Sequence, residues 1–460
     1  MNMKSTHKLK LLAGALLATS LVTAPTFAKV PQAEADKLGG STLTPSGAEV
    51  AGNADGTIPK WDGGMKGNPD CYKGGEFLCN PFPNDKPLFT ITAGNLDQYK
   101  DKLSPGQIAM FEKYPDTYRM PVYQTRRPFV MPDRIVALTK KNALEAETVG
   151  ATGLRGLNLQ GFPFPIPQNG LEAIWNHIGR WRGDALERTI GQVTPQANGA
   201  YSMVMFKDQL SITNQLTDYT PGEDDNVMFY FKQQVTAPAR LAGNVLLVHE
   251  TIDQVKEPRR AWIYNAGQRR VRRAPQVAYD GPGTASDGMR TADNFDLYNG
   301  SPDRYEWTLK GKKEMYIAYN AYKLDEKGLP YDDMVKPGHI NQDLTRYELH
   351  RVWEVEGNLR EGTRHIYAKR VFFLDEDTWL AGVIDHYDGR GNLWRVAEAH
   401  QMFYYNVDVQ GYAIETLYDL NAGRYLALGF ENNEAKGTNF DVKFSKTEFQ
   451  PAALRRSGVR

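Results

Sequence analysis

Cysteine is almost absent: the 460 residues contain two, Cys71 and Cys79. Seven residues separate them, so the C-x-x-C spacing of a redox pair is missing. In an oxidising compartment the Gly-containing segment CYKGGEFLC would instead close a small structural loop, worth about 2–3 kcal/mol by restricting the unfolded chain. Excess charge is also lacking, since Lys+Arg and Asp+Glu both total 55, and nucleic acid is given no basic footprint. Beyond the N-terminus no run approaches the ~18 consecutive apolar residues of a membrane span. There is no G-x-G-x-x-G after a strand, no Walker loop, no H-E-x-x-H, no G-x-S-x-G and no EF-hand loop. Gly150, Gly153 and Gly156 have the wrong spacing for a dinucleotide fingerprint. No cofactor, metal or catalytic residue is therefore assigned.

The first 28 residues are of a different kind. Lys4, Lys8 and Lys10 precede an apolar stretch, Leu11 to Val22, that is short and rich in Ala, Gly and Thr. Thr26-Phe27-Ala28 then places small residues where a signal peptidase reads, which predicts cleavage after Ala28. Lys29 follows the cut, not the cysteine of a lipid-anchored export, so the expected product is soluble and periplasmic. It keeps 432 residues, 52 basic against 55 acidic, a balance of −3 with histidine neutral, because the leader carries three lysines and no acid. That length allows two domains or one large all-β unit.

Residues 29–93 are rich in Gly, Pro, Asn and Asp without sustained periodicity, and read as an irregular arm pinned by the cysteine loop. Residues 94–460 read as one β domain with packed helices. Positions 94–113 look helical with a break at Ser104-Pro105, where serine caps and proline fits the first turn. A second helix opens at Asn169, with Leu171, Ile174, Trp175, Ile178 and Trp181 on one face. Beyond about Tyr201 strands are expected at 245–252, 261–264, 268–273, 305–309 and 314–319, with tight turns at Asn265-Ala266-Gly267 and Lys310-Gly311. Further strands follow at 346–355, 364–374, 378–387 and 392–405, the last two joined by Asp388-Gly389-Arg390-Gly391. In the first of these, Tyr347, Leu349, Trp353 and Val355 alternate with Arg346, Glu348, His350 and Glu354, the pattern of a sheet with one covered face. The expected fold is mainly β with a few helices: a large curved antiparallel sheet or incomplete β-barrel enclosing a hydrophobic cavity.

Several side chains are candidates for chemistry or binding. Histidines stand at 177, 249, 339, 350, 365, 386 and 400. His350, His365, His386 and His400 lie on consecutive expected strands, His386 beside Asp385 and His400 two residues from Glu398. They would form an acid/base or metal site if they converged, and are ordinary residues of a wet sheet face if they did not. Strand aromatics Trp262, Tyr264, Trp307, Tyr316, Trp353, Phe372 and Trp394 are candidates to line a lipid cavity, with plain sheet packing as the alternative. Arg259-Arg260 and the run Arg269, Arg270, Arg272 and Arg273 flank the strand AWIY. They suit phosphate headgroups or an acidic partner, or else protect an edge strand. The loop GFPFPIP, with Phe162, Phe164 and Ile166, must be stiff and extended; it is a candidate lid or partner-docking segment, or packs on the sheet.

The segments YRMPVY with Arg126-Arg127, GFPFPIPQNGLEAIWNHIGRWRG, AWIYNAGQRRVRRAP, DNFDLYNGSPDRYEW and RYELHRVWEVEGNLREGTRHIYAKRVFFLDEDTW followed by DHYDGRGNLWR resemble the proteobacterial domain-of-unknown-function family 1329, over most of the mature chain. The resemblance implies a fold similar to the carriers and receptors of outer-membrane lipoprotein sorting. It also implies an association with resistance-nodulation-division type exporters and outer-membrane proteins as partners. It supplies no catalytic residues.

The function expected is that of a periplasmic carrier or accessory protein binding a hydrophobic ligand, such as a lipid, acyl chain or lipoprotein. The alternatives are a periplasmic hydrolase using the strand histidines and acids, and a non-carrier subunit of an exporter complex. Intact mass spectrometry of protein from its own host's envelope should show a chain that begins at Lys29; a chain retaining the leader would remove the export reading.

Overall fold

Which residues form strands is decided by β-branched and aromatic content between turn signals. The structure, a computed structural model, describes residues 30–223 and 226–458; the leader and its cleavage point lie outside them. The strands are β1 (Phe89–Ile91), β2 (Met120–Val122), β3 (Glu147–Val149), β4 (Gly153–Arg155), β5 (Ala185–Val193), β6 (Val204–Ile212), β7 (Val227–Ala237), β8 (Val245–Thr251), β9 (Arg260–Asn265), β10 (Arg270–Arg273), β11 (Tyr305–Ala318), β12 (Tyr347–Leu359), β13 (Lys369–Asp375), β14 (Ala381–Tyr387), β15 (Leu393–Tyr404), β16 (Val409–Asp419) and β17 (Arg424–Phe430). All but β3 and β4, which form their own ribbon, belong to one 15-stranded sheet. It runs from β12 in sequence order to β17, crosses to β5, and continues to β10. The crossing pairs Ala427 with Val193. β11 covers one edge of β12; β2 and β13 share the other, with a single parallel contact at Tyr347 and Val122. The sheet does not close into a barrel.

Helices α1 (Gln32–Ala35), α2 (Pro105–Lys113), α3 (Asp133–Glu145), α4 (Gly170–Gly179), α5 (Tyr331–Met334) and α6 (Pro451–Ser457) complete the fold. Ser104 caps α2 by accepting from Gln107 N at 3.0 Å, and Gln107 accepts in return from Ser104 N at 3.0 Å. Asn169 caps α4 by accepting from Glu172 N at 3.0 Å.

α4 shows that the sheet is strongly curved. At its start a side chain on Gly170 would strike the β11 backbone at Trp307 and Thr308. Just past its end Arg182 stacks over Phe229 of β7 at 5.3 Å. Ten residues of helix span about 15 Å, whereas the nine strand steps from β11 to β7 cover about 43 Å along the sheet. The sheet must curl around the helix for both contacts to exist. Trp175, Ile178, Phe206, Phe229, Phe372 and Leu426 accordingly share one core inside the curve.

The outer face is covered as well, which differs from the one covered face expected. α2, β1, β2 and residues 331–344 pack Phe111, Met120 and Ile340 against Ile317, Val383 and Ile414. Glu348 and His350, expected in solvent, are buried. The turn expected at Lys310-Gly311 is a bulge in one continuous strand: the register shifts between Leu309 and Gly311, and Gly311 takes φ +118°. The strand expected to start at 364 starts at Lys369, and the one expected to start at 378 starts at Ala381, after a turn closed by Trp379 N donating to Asp375 O at 2.9 Å.

Glu398 on β15 is fully buried, accepting from Tyr347 Oη at 3.0 Å and Gln107 Nε2 at 3.3 Å. Burial pushes its carboxyl up from 4.5 to about 7. Its neutral form therefore stabilises the fold fully below about pH 4.5, and that contribution is lost as pH rises to about 7. Glu398→Gln should gain on the wild type across this window, by on the order of 2 kcal/mol at pH 8. Urea unfolding at pH 4.5 and pH 8 checks this; a gap that does not widen with pH would refute it.

Candidate functional site

α4 ends close to where Arg182 stacks over Phe229 of β7. Beyond it, Leu186 (β5), Leu210 (β6), Phe229 and Phe231 (β7), Val248 (β8) and Ile263 (β9) face open space. Period-2 alternation directs Phe229 and Phe231 inward, while Tyr230 between them packs on Phe449 at the opposite face. The connection 274–304 runs across this space, and its Phe295 and Asn299 line both halves of the resulting cleft. The halves hold about 700 and 580 Å³ of empty space, a figure that includes the open solvent at their mouths.

The covering segment is held by its own acids. Asp296 accepts from Arg180 at 2.5 Å and Arg182 at 3.0 Å. Asp293 accepts from Arg370 at 2.7 Å and pairs with His365 at 3.0 Å. Burial opposes ionisation of both, yet the adjoining guanidiniums win and hold the two carboxyls below their ordinary range, Asp296 at about 2. Asn294 Nδ2 meets His386 Nε2 at 2.9 Å, which joins the segment to β14.

Arginines dominate the polar lining of the cleft. Arg188 pairs with Asp208 at 3.2 Å and Arg259 with Glu250 at 2.5 Å. Burial pushes Asp208 and Glu250 up, and takes Glu415, close behind the cleft, to about 7. Arg290 is buried over the ring of Phe295, and burial lowers its pKa.

The seven aromatic candidates do not line this cleft. Trp262 and Tyr264 face the other side of β9, toward Phe449 and Leu454. Trp307 and Phe372 pack on Tyr298. Tyr316 meets Phe89 and Tyr99 on the outer face. Trp353 stacks on Trp379 and, with Ile166, borders a separate groove near α1. Trp394 packs edge-on against Tyr367 and donates to Asp419. The four strand histidines do not converge either. His350 bonds Glu348 at 3.2 Å, while His400 lies 3.8 Å from Glu398 with neither ring nitrogen hydrogen-bonded. No hydrogen bond joins two of them among the described residues, His365 precedes β13 rather than lying on it, and none lines the cleft.

Phe162 and Phe164 are buried in the inner core, Phe162 edge-on to Phe129, because their loop lies beneath α3. A partner could not reach them without unpacking it, so the docking expectation is corrected for these two. Arg269, Arg270, Arg272 and Arg273 are exposed. Cys71 and Cys79 are disulfide-bonded. Tyr405 Oη fixes their loop to the sheet by donating to Cys79 O at 3.0 Å.

His350, Asp375 and Asp377 bring ligand-type atoms within 4.8 Å of one another. Protein groups already occupy most of them. Arg127 takes both Asp377 oxygens, at 2.8 and 2.7 Å, and Tyr319 and Thr378 donate to Asp375 Oδ2 at 3.1 and 2.7 Å. Arg127 also donates to Glu49 O and Pro59 O, at 2.8 and 3.2 Å, so the cluster ties the arm to the sheet.

Sequence reasoning missed Arg180, Arg182, Arg188, Arg290, Phe229, Phe231 and Phe295. The alternation in VMFYFKQQV was the available signal for the β7 pair, and GRWRG directly after α4 for the first two arginines.

The model of a family described as "Protein of unknown function (DUF1329)" matches residues 90–455. An uncharacterized protein of Pseudomonas aeruginosa is 60% identical over 446 residues, 97% of this chain and 98% of the relative. Among solved structures, a DUF1329 family protein from Desulfovibrio piger aligns at TM-score 0.41 and 16% identity, over 59% of this chain and 92% of that one. A putative outer membrane lipoprotein-sorting protein domain from Vibrio parahaemolyticus gives 0.40 and 14%, over 59% and 92%.

Arg127→Met leaves Asp377 buried without its guanidinium and should cost about 3–5 kcal/mol in urea unfolding. A loss below about 1 kcal/mol, the size of an exposed pair, would show that the cluster does not hold the arm.

Proposed function

The chain belongs to the DUF1329 family, and from that premise and the cleft behind α4 we propose a periplasmic carrier or accessory protein that shelters a hydrophobic ligand such as an acyl chain. The carrying observation is an open cleft on the concave side where Phe229, Phe231, Phe295, Leu210 and Val248 converge. Each methylene removed from water contributes about 0.8 kcal/mol, so roughly a dozen would hold a chain without covalent chemistry.

The lining favours binding over catalysis. It contains no His, Ser, Cys or Lys among the described residues, and its one carboxylate, Asp296, is locked between two arginines. The exported location rests on the leader sequence; no helix among the described residues is long and apolar enough to cross a membrane.

Delipidated protein should take up a fluorescent acyl probe from vesicles, and native mass spectrometry of protein from its own host should show bound lipid. Leu186→Trp, at the half-buried wall of the cleft, should reduce uptake severalfold while the protein stays folded. Failure of the wild type to bind any apolar probe would remove the carrier reading.

A further inference from the structure

The arginines around the cleft are not equivalent. Arg180, Arg182, Arg188 and Arg259 each have a carboxylate within 3.2 Å. Arg290 forms no ion pair among the described residues, although it is only 3% exposed. Its Nη2 donates to the neutral Gln192 Oε1 at 3.2 Å, and its Nε is buried with no acceptor. The nearest acids are committed elsewhere. Asp208 is held by Arg188 and by Gln233 at 3.0 Å, and Glu415 accepts from Leu297 N at 3.2 Å. A cation in this position carries a desolvation cost that an anion beside it would offset.

The surroundings hold that cation in place. Gln192 is oriented by donating to Thr284 O and Ala285 O at 3.3 and 2.9 Å, which presents its oxygen to Arg290. The Arg290 carbonyl accepts from Gly283 N at 2.9 Å and Ser286 Oγ at 3.2 Å. A side chain at Gly283 would stand 3.2 Å from the unpartnered Nε, so glycine keeps this side of the guanidinium open.

A second observation lies at the mouth. Ile263 lines the cleft and is 39% exposed. The β9–β10 register pairs it with Arg272, and Asn265 with Arg270, so both arginines project on the same sheet face as Ile263. Positive charge thus stands at the entrance and again inside, an arrangement that draws in anions.

We propose that the cleft binds an amphiphile with an anionic head, carboxylate or phosphate, seated on Arg290, its chain lying along Phe231 and Phe295 toward Phe229 and Leu210. This rests on the reading of the cleft as an apolar binding site. Arg270 and Arg272 guide the head inward, and the arginine fork bonds it on arrival.

Calorimetry of delipidated protein with dodecanoate, dodecyl phosphate, dodecanol and inorganic phosphate tests the proposal. The two anionic amphiphiles should bind roughly tenfold or more tightly than dodecanol, the strength of hydrogen bonds to a charged group. Inorganic phosphate alone should bind far more weakly than dodecyl phosphate. Arg290→Met should bring the dodecanoate-to-dodecanol ratio close to one, and Arg290→Lys should restore part of it. In stopped flow, Arg270→Gln with Arg272→Gln should slow dodecanoate association and reduce its salt dependence.

Equal wild-type affinity for dodecanoate and dodecanol would overturn the head-group inference and leave the apolar site standing. Failure of all three amphiphiles would remove both. A preference that survives in folded Arg290→Met, or inorganic phosphate binding as tightly as dodecyl phosphate, would also overturn it. Should the Arg290 variants not fold, the wild-type ratio and the hairpin variant still decide.

Discussion

A ten-residue helix that touches strands nine steps apart fixes the shape of everything around it. α4 is the chord and the sheet is the arc; because the chord is about a third of the arc, the strands must coil around it. The contact at its start requires Gly170, where any side chain would push β11 away. Inside the helix, His177 accepts from Ala381 N at 3.1 Å and meets Asp296 O at 3.1 Å, and burial holds it neutral, with its pKa lowered to about 3. One side chain thereby joins helix, sheet and covering segment without burying a charge.

Because the helix ends at β7, the two ends of the sheet have different interiors. Around β11 to β15 the space is occupied by Trp175, Phe372 and Trp379. Around β5 to β9 no helix replaces them, and the irregular connection 274–304 roofs a cleft. Irregular backbone can sit there because Asp293 and Asp296 each find guanidinium partners. The same residues that close the roof make the lining cationic, so the architecture and the chemistry of the cleft have one origin.

Features specified locally were legible in the sequence. The Ser104 and Asn169 caps, the cysteine loop and the Asp388–Gly391 hairpin depend on neighbours within a few residues. Alternation in β12 was visible too, but its meaning was not: a charged face reads as wet, yet here Arg126 N and Asn320 Nδ2 donate to Glu348 and Tyr319 stacks on His350, while residues 331–344 pack with the apolar Tyr347 and Leu349. β16, buried on both faces, has no alternation to read. The cleft was the least legible part. Arginine reads as surface, and Arg290 lies in a segment without periodicity whose path is set by contacts about 100 residues away. Aromatic residues on strands reported packing without reporting the side.

The crossing from β17 to β5 joins positions 427 and 193 through the last strand of the chain. Until that strand arrives, β5 and β16 both present bare backbone donors and acceptors, and neither half of the sheet can seal against the other. Contacts of such sequence separation form slowly because loop closure precedes any reward. The two halves of the sheet therefore stay unjoined until residues 424–430 have been made.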